Sequence, residues 1–337
     1  MKNEVFVGLD LHYRSIYMVA RFNQNILIEK KFQVKGKLSE TVDEMDAELK
    51  QSVHEKTKIS SAHESGTAAR TLKNLLEQKG WCSIIVAGNR IPKTDFHRSH
   101  KSDRKDAQNI SLQLEKGLLE PVIDPGEVVL QLRRQLKVRR DLVDQRSRLL
   151  VKIKANLRDS GISTTNRVKV DDIHELDQLI GNQQGAAEYV RSLWKQKTNL
   201  DRRIKYIESK LTVFREYPSF EFFLDNLQTI DGVSWLTALE LISCLGDMNR
   251  FPTKEQFISF CGLIPNQHQS GGMDYRNFRP SQKHEVRVTF WRTTTNLIRC
   301  NSLYKEEYNR LKAEGKNHIQ RRLSVKFAKQ IYPLWQA

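Results

Sequence analysis

Four carboxylates carry the chemistry that can be read from this chain: Asp10, Glu64, Asp103 and Asp106. Asp10 lies inside the apolar run V-F-V-G-L-D-L, where a charge has poor company. On a strand, Leu9 and Leu11 point to one face, so Asp10 shares the other with Gly8. Glu64 follows I-S-S-A-H and precedes Gly66, at the C-terminal end of an expected strand, where α/β sites usually form. Asp103 and Asp106 stand three apart in H-K-S-D-R-K-D-A-Q. On a helix that spacing turns both to one side, where they repel by roughly a few tenths of a kcal/mol. A divalent cation removes the penalty. Oxygen ligands suit Mg²⁺, with Mn²⁺ as its substitute, and a pair of such ions activates an attacking oxygen and stabilises a leaving one. The plainer reading of each acid alone is a helix cap or a solvated surface group, with Asp103 favoured simply by a helix N-terminus.

Basic residues crowd the same stretch. Arg98, Lys101, Arg104 and Lys105 stand among the acids, beside Arg90, Lys93, His97 and His100, and are candidate phosphate contacts. The whole chain has 337 residues and a formal charge of +16. That excess points to an anionic partner, nucleic acid first, against the plainer reading of a solvated basic surface. Apolar residues make up 39%, enough for real cores. The four cysteines form no C-x-x-C pair, which argues against a zinc site or a disulfide framework. No signal-peptide pattern opens the chain, and no stretch reads as membrane-spanning. The expected setting is the bacterial cytoplasm, at the nucleoid, without a membrane partner.

Elements that would position these groups follow from periodicity. Residues 5–11, 16–22 and 26–34 read as three strands of an antiparallel meander. A helix over 38–52, a strand over 57–62, a helix over 66–79, a strand over 81–87 and a helix near 103–116 come next. Hairpins first and crossovers later mean a mixed α/β sheet flanked by helices. This first domain is expected over 1–124. Leucines and arginines at helical spacing then predict two long helices, about 127–157 and 185–214, forming a coiled-coil-like arm over 125–215. A mainly helical C-terminal domain is expected over 216–337. In it we read an extended piece before Gly232, a strongly apolar helix, a short helix capped by Thr253, a loop N-Q-H-Q-S-G-G, and a helical basic tail.

At this point the chain resembles a known family: the DEDD transposases of the bridge-RNA-guided insertion sequences, with the Piv-type site-specific DNA invertase as a relative. G-L-D-L-H resembles the first family motif, S-A-H-E-S-G-T the second and K-S-D-R-K-D-A the third. L-Q-T-I-D-G-V, L-G-D-M-N-R-F, F-C-G-L-I-P and Q-S-G-G resemble C-terminal landmarks in family order. The resemblance implies a RuvC-like, ribonuclease-H-like first domain whose metal ligands are Asp10, Glu64, Asp103 and Asp106. It also implies a nucleophilic serine at Ser270, a homodimer or homotetramer acting on double-stranded DNA, and, for the transposases but not the invertase, a guide RNA. From the residues alone, Ser270 is an ordinary turn serine. Gly271 and Gly272 would let a backbone approach phosphate closely.

The chain departs from the pattern in two places. Ile230-Asp231-Gly232 replaces the usual I-P-G, and the K-x-G-N run after the serine is missing. Arg276, Arg279 and Lys283 keep positive charge there as candidate nucleic-acid contacts. Such a departure marks either an invertase-like branch or a decaying copy. Three functions follow: a recombinase with a serine nucleophile, a water-using metal-dependent nuclease or junction resolvase, or an inactive nucleic-acid-binding remnant.

Overall fold

The computed structural model describes residues 4–92, 102–162, 184–247, 250–264, 266–270, 273–277 and 284–336. Arg98, Lys101, Arg279 and Lys283 lie outside the described residues, and of Ser270 and Arg276 only the backbone is described. By contacts the chain divides into two compact units, Met1–Asp124 and Pro125–Ala337.

The first unit is a mixed five-stranded sheet. Its strands are β1 (Glu4–Leu11), β2 (Ser15–Phe22), β3 (Asn25–Gln33), β4 (Lys58–Glu64) and β5 (Cys82–Val86), in the order β3-β2-β1-β4-β5. The first three pair antiparallel as a meander, while β4 joins β1, and β5 joins β4, in parallel. Parallel neighbours need crossovers, supplied by α1 (Leu38–Ser52) and α2 (Ala69–Gln78). Strand β1 is therefore central, and its alternation divides two cores. Val5, Val7 and Leu9 face one side and pack with Val42, Met45 and Leu49 of α1 and Leu72 and Leu76 of α2. Gly8 faces the other side, where α3 (Asp103–Glu115) lies. A smaller cluster of Ala62, Val86, Ile91 and Ile110 fills that layer.

The second unit is mostly helical. Helix α4 (Glu127–Asp159) runs 33 residues, about 50 Å at the usual rise. It pairs with α5 (Gln184–Leu211) in antiparallel sense, as Arg139–Glu208 at 2.8 Å and Arg146–Asp201 at 3.3 Å show. Leu142, Leu200 and Ile204 fill one part of the seam, and Ile153, Leu157, Val190 and Leu193 another. The start of α4 belongs to a different core. Leu132 and Leu136 pack with α6 (Pro218–Gln228), α7 (Trp235–Leu245) and α8 (Lys254–Phe260), and with the buried rings of Phe257, Phe290 and Phe327. Helices α9 (His284–Cys300), α10 (Ser302–Ala313) and α11 (Ile319–Gln336) complete this unit.

Two local expectations are corrected here. The stretch before Gly232 is not extended: α6 starts with Pro218 in its first turn, where the fixed proline φ favours a helix, and buries Phe220, Leu224 and Leu227 on one face. Nor is N-Q-H-Q-S an open loop. It forms β6 (Asn266–Ser270), paired antiparallel with β7 (Met273–Asn277), with Ser270 opposite Met273. Two glycines between two short runs are a hairpin signal that the polar composition concealed.

Candidate metal centre

Asp10 reaches the open end of the central strand, and two neighbours bring further acids level with it. In the β1–β4 ladder Gly8 lies opposite Ala62 and Leu9 opposite His63. Continuing that parallel register places Asp10 beside Glu64, on the same face. Just past the next strand, Gly88 approaches the Glu64 side chain so closely that a Cβ there would stand 2.7 Å from Glu64 Oε2. The short turn after β5 thus limits where this carboxylate can go.

Helix α3 supplies the other pair. A Cβ at Gly8 would overlap the Ala107 carbonyl oxygen and the Ser111 amide, so the helix backbone rests directly on the strand. Asp103 lies four residues before Ala107, about 6.0 Å along the helix, while Asp10 lies two residues beyond Gly8, about 6.6 Å along the strand. These nearly equal steps are why the first turn of α3 meets the end of β1. The turn is fixed by Ser102, whose hydroxyl accepts from the Lys105 amide at 3.3 Å. Glu29 of β3 then gathers donors from both layers: Tyr17 Oη at 2.9 Å, Gln108 Nε2 at 2.8 Å, and the Arg104 guanidinium in an ion pair. At the other end of α3, Glu115 accepts from Arg21 Nε at 2.9 Å and from the Gln24 amide at 2.7 Å. Both ends of the helix are tied to the β2–β3 hairpin.

The electrostatics follow from this convergence. Burial pushes the Asp10 carboxyl above the usual range; His12 opposes the shift, and the charges of Asp103, Asp106 and Glu64 add to it. The other three predicted acids therefore all act on the Asp10 carboxyl. Burial also pushes Asp103 upward, but a hydrogen bond from Lys31, the His12 ring and the Lys31 charge outweigh it and hold Asp103 low. Lys31 Nζ stands 3.3 Å from Asp103 Oδ2.

The periodicity reading missed His12. Its Nε2 lies 3.2 Å from Asp10 Oδ2 and 3.2 Å from Asp103 Oδ1. Asp10, His12 and Asp103 each offer one ligand atom, and the three atoms lie within 4.8 Å of one another. The available signal was spacing alone, since residue 12 lies two on from Asp10 and just past the end of β1. Next to it, Tyr13 is 81% exposed, and the Arg14 guanidinium lies 4.9 Å from its ring centroid. This is a donor set suited to a divalent cation: carboxylates crowd together, and each offers oxygen lone pairs. Arg104 is already engaged by Glu29, and Lys105 contributes its amide to the helix cap. Ser270 ends β6 in the second unit.

Comparison with known proteins shows which sequences this chain is similar to. An IS110-type DEDD transposase model matches residues 7–162, which include all four acids. A second model, the transposase IS116/IS110/IS902 family, matches residues 224–309, which include Ser270. The chain is similar to the transposase for insertion sequence element IS1111A of Coxiella burnetii, at 27% identity over 53% of this chain and 50% of the relative. It is also similar to the transposase for insertion sequence element IS1533 of Leptospira borgpetersenii, at 23% identity over 73% of this chain and 71% of the relative. The chain thus spans half the length of the first of these relatives. Together the two models match most of the chain, which belongs to the IS110/IS902 family of DEDD transposases.

Proposed function

We propose that this protein is a DNA transposase or site-specific recombinase that cuts and rejoins strands by transesterification. The observation that carries the proposal is the grouping of Asp10 and Asp103 with His12 at ligand spacing, with the charges of Glu64 and Asp106 also acting on Asp10. The sheet order, with three antiparallel strands followed by two parallel ones, supports a RuvC-like, ribonuclease-H-like reading of the first unit. Asp10, Glu64, Asp103 and Asp106 would hold Mg²⁺, or Mn²⁺ in its place. When bound, the ion would neutralise charge developing on the attacked phosphate.

The protein's own groups would divide the remaining work. Ser270 Oγ would attack phosphorus, forming a phosphoserine ester as one P–O bond of the DNA breaks; the departing oxygen takes up a proton. A DNA hydroxyl would then attack the phosphoserine, release the Ser270 oxygen to regain its proton, and restore a phosphodiester. One ester is exchanged for another at each step, so no ATP is consumed. Lys31 would hold Asp103 in place, and Arg276, Arg279, Lys283, Arg98 and Lys101 would contact phosphates. Double-stranded DNA is the proposed substrate, a guide RNA the proposed partner in the transposase form, and a homodimer or homotetramer the proposed assembly. Among the described residues no helix is long and apolar enough to cross a membrane.

One observation favours a second reading. All four acids belong to one compact unit, so hydrolysis by water would need nothing from the unit that carries Ser270. The two readings separate in a trapping experiment. The protein is incubated with Mg²⁺, DNA bearing its element's ends and RNA transcribed beside the gene, then denatured. A protein–DNA adduct present in wild type and absent in Ser270→Ala is the expected result. Nicked DNA without an adduct, unaffected by Ser270→Ala, would establish the nuclease instead.

A further inference from the structure

We propose that His12 is itself a metal ligand, and that its nitrogen biases this centre toward Mn²⁺ and similar first-row ions over Mg²⁺. The proposal rests on the reading of the four acids as a metal centre and adds a ligand of a different chemical kind. The geometry is specific. Two ligand atoms about 2.1 Å from an ion and at right angles to each other stand about 3.0 Å apart. His12 Nε2 lies 3.2 Å from one oxygen of Asp10 and 3.2 Å from one oxygen of Asp103. Those spacings are those of neighbouring corners in an octahedral shell. The same Nε2 faces both carboxylates, so one small movement of an ion into the group would engage all three residues.

The bland alternative is a histidine that merely balances two acids. Lys31 already performs that task for Asp103 at 3.3 Å, from the far side of the hairpin. His12 differs from Lys31 in one decisive respect: neutral imidazole has a lone pair to donate, and an ammonium has none. Its place on the chain also fits. Two residues on from Asp10 and one past the end of β1, it still brings its ring to the ligand it follows. Mg²⁺ is a hard ion that takes oxygen ligands and keeps its waters, whereas first-row transition ions accept imidazole. A nitrogen in the shell therefore shifts preference away from Mg²⁺ without adding negative charge.

The test is metal binding to the full chain, read without any DNA reaction. Mn²⁺ is titrated by electron paramagnetic resonance, Mg²⁺ by its competition with Mn²⁺, and nitrogen hyperfine coupling to bound Mn²⁺ is recorded. Wild type should show imidazole nitrogen coupling. His12→Ala should lose that coupling and bind Mn²⁺ about tenfold or more weakly, with Mg²⁺ affinity changed less than about threefold. His12→Gln, which restores an oxygen donor of similar length, should keep Mg²⁺ affinity and leave Mn²⁺ weak. Mn²⁺ bound by wild type and lost in Asp10→Asn, yet unchanged and without nitrogen coupling in wild type and His12→Ala alike, would overturn the role of His12 while leaving the acid centre standing. No binding of either ion to wild type would overturn both.

Discussion

Asp10 occupies a place where ionisation is disfavoured, and that is its signature. Burial and three neighbouring acids raise its pKa above the ordinary value. Below that ordinary value the folded and unfolded carboxyls are both protonated, and no cost arises. As pH rises past it, the unfolded carboxyl ionises first, so the metal-free fold is destabilised and stays so at neutral pH. Asp10→Asn should therefore raise the melting temperature of the metal-free protein at pH 7 while abolishing the rise produced by Mn²⁺ or Mg²⁺. In wild type, a hundredfold excess of ion over its dissociation constant should add about 2.7 kcal/mol. Thermal melts with and without ion check both halves, and equal melts for the two proteins would contradict them. His63 behaves in the opposite sense. It is buried, its Nε2 lies 2.9 Å from the Ala69 carbonyl, and burial pushes its pKa down, with Lys73 adding to the shift. The unfolded ring thus takes up a proton first, and stability should fall as pH drops below about 6.5, the ordinary histidine value. Chemical denaturation across that range should show the loss in wild type and a flatter profile in His63→Leu. Asp10 was legible from sequence because a carboxylate in an apolar strand stands out. His12 lies one residue past the end of β1, where a lone histidine has many uses. Lys31 was not legible, because its meeting with Asp103 depends on how β3 and α3 lie across the sheet.

At the scale of elements, two glycines set the distances. Gly8 lets α3 rest on β1, and Gly88 makes room for the Glu64 carboxylate. Their substitution should have unlike consequences. Gly8→Ala forces a Cβ into helix backbone, which cannot yield as a side-chain end can; a loss of about 1–3 kcal/mol or more is expected, together with loss of metal binding. Gly88→Ala meets only the end of a flexible glutamate. Stability should change by less than about 1 kcal/mol, while metal affinity falls because Glu64 is displaced. Paired denaturation and metal titrations separate these cases, and a Gly8→Ala protein as stable as wild type would contradict the packing account. The strands and crossover helices of the first unit were legible because their hydrophobic periods are clear and their turns are marked by Asn, Gln and Gly. The closeness of α3 to β1 was not, since a glycine in a strand signals close approach without naming what approaches. In the second unit, α6 was obscured because its spaced Phe220, Leu224 and Leu227 sit beside further phenylalanines, which blur the helical period.

For the molecule as a whole, net charge is the property that bears on the proposed binding of nucleic acid. A chain carrying +16 should bind duplex DNA with strong salt dependence. If six or more phosphates are neutralised, affinity should fall at least about 10³-fold between roughly 50 and 200 mM salt. Fluorescence anisotropy with a labelled duplex checks this, and an affinity indifferent to salt would contradict a phosphate-tracking surface. Sequence could locate Ser270 only through family likeness, because a serine before two glycines is chemically commonplace. The acids were readable from both sides, by local chemistry and by likeness, and they bear the central claim. The most direct test of that claim is strand cleavage of DNA carrying the element's ends, with Mn²⁺ or Mg²⁺ and the adjacent RNA, comparing wild type with Asp10→Asn. Metal-dependent cleavage by wild type is expected, with a loss of about 10²-fold or more in Asp10→Asn while DNA binding persists. Cleavage by Asp10→Asn at the wild-type rate, with the same dependence on metal, would contradict it.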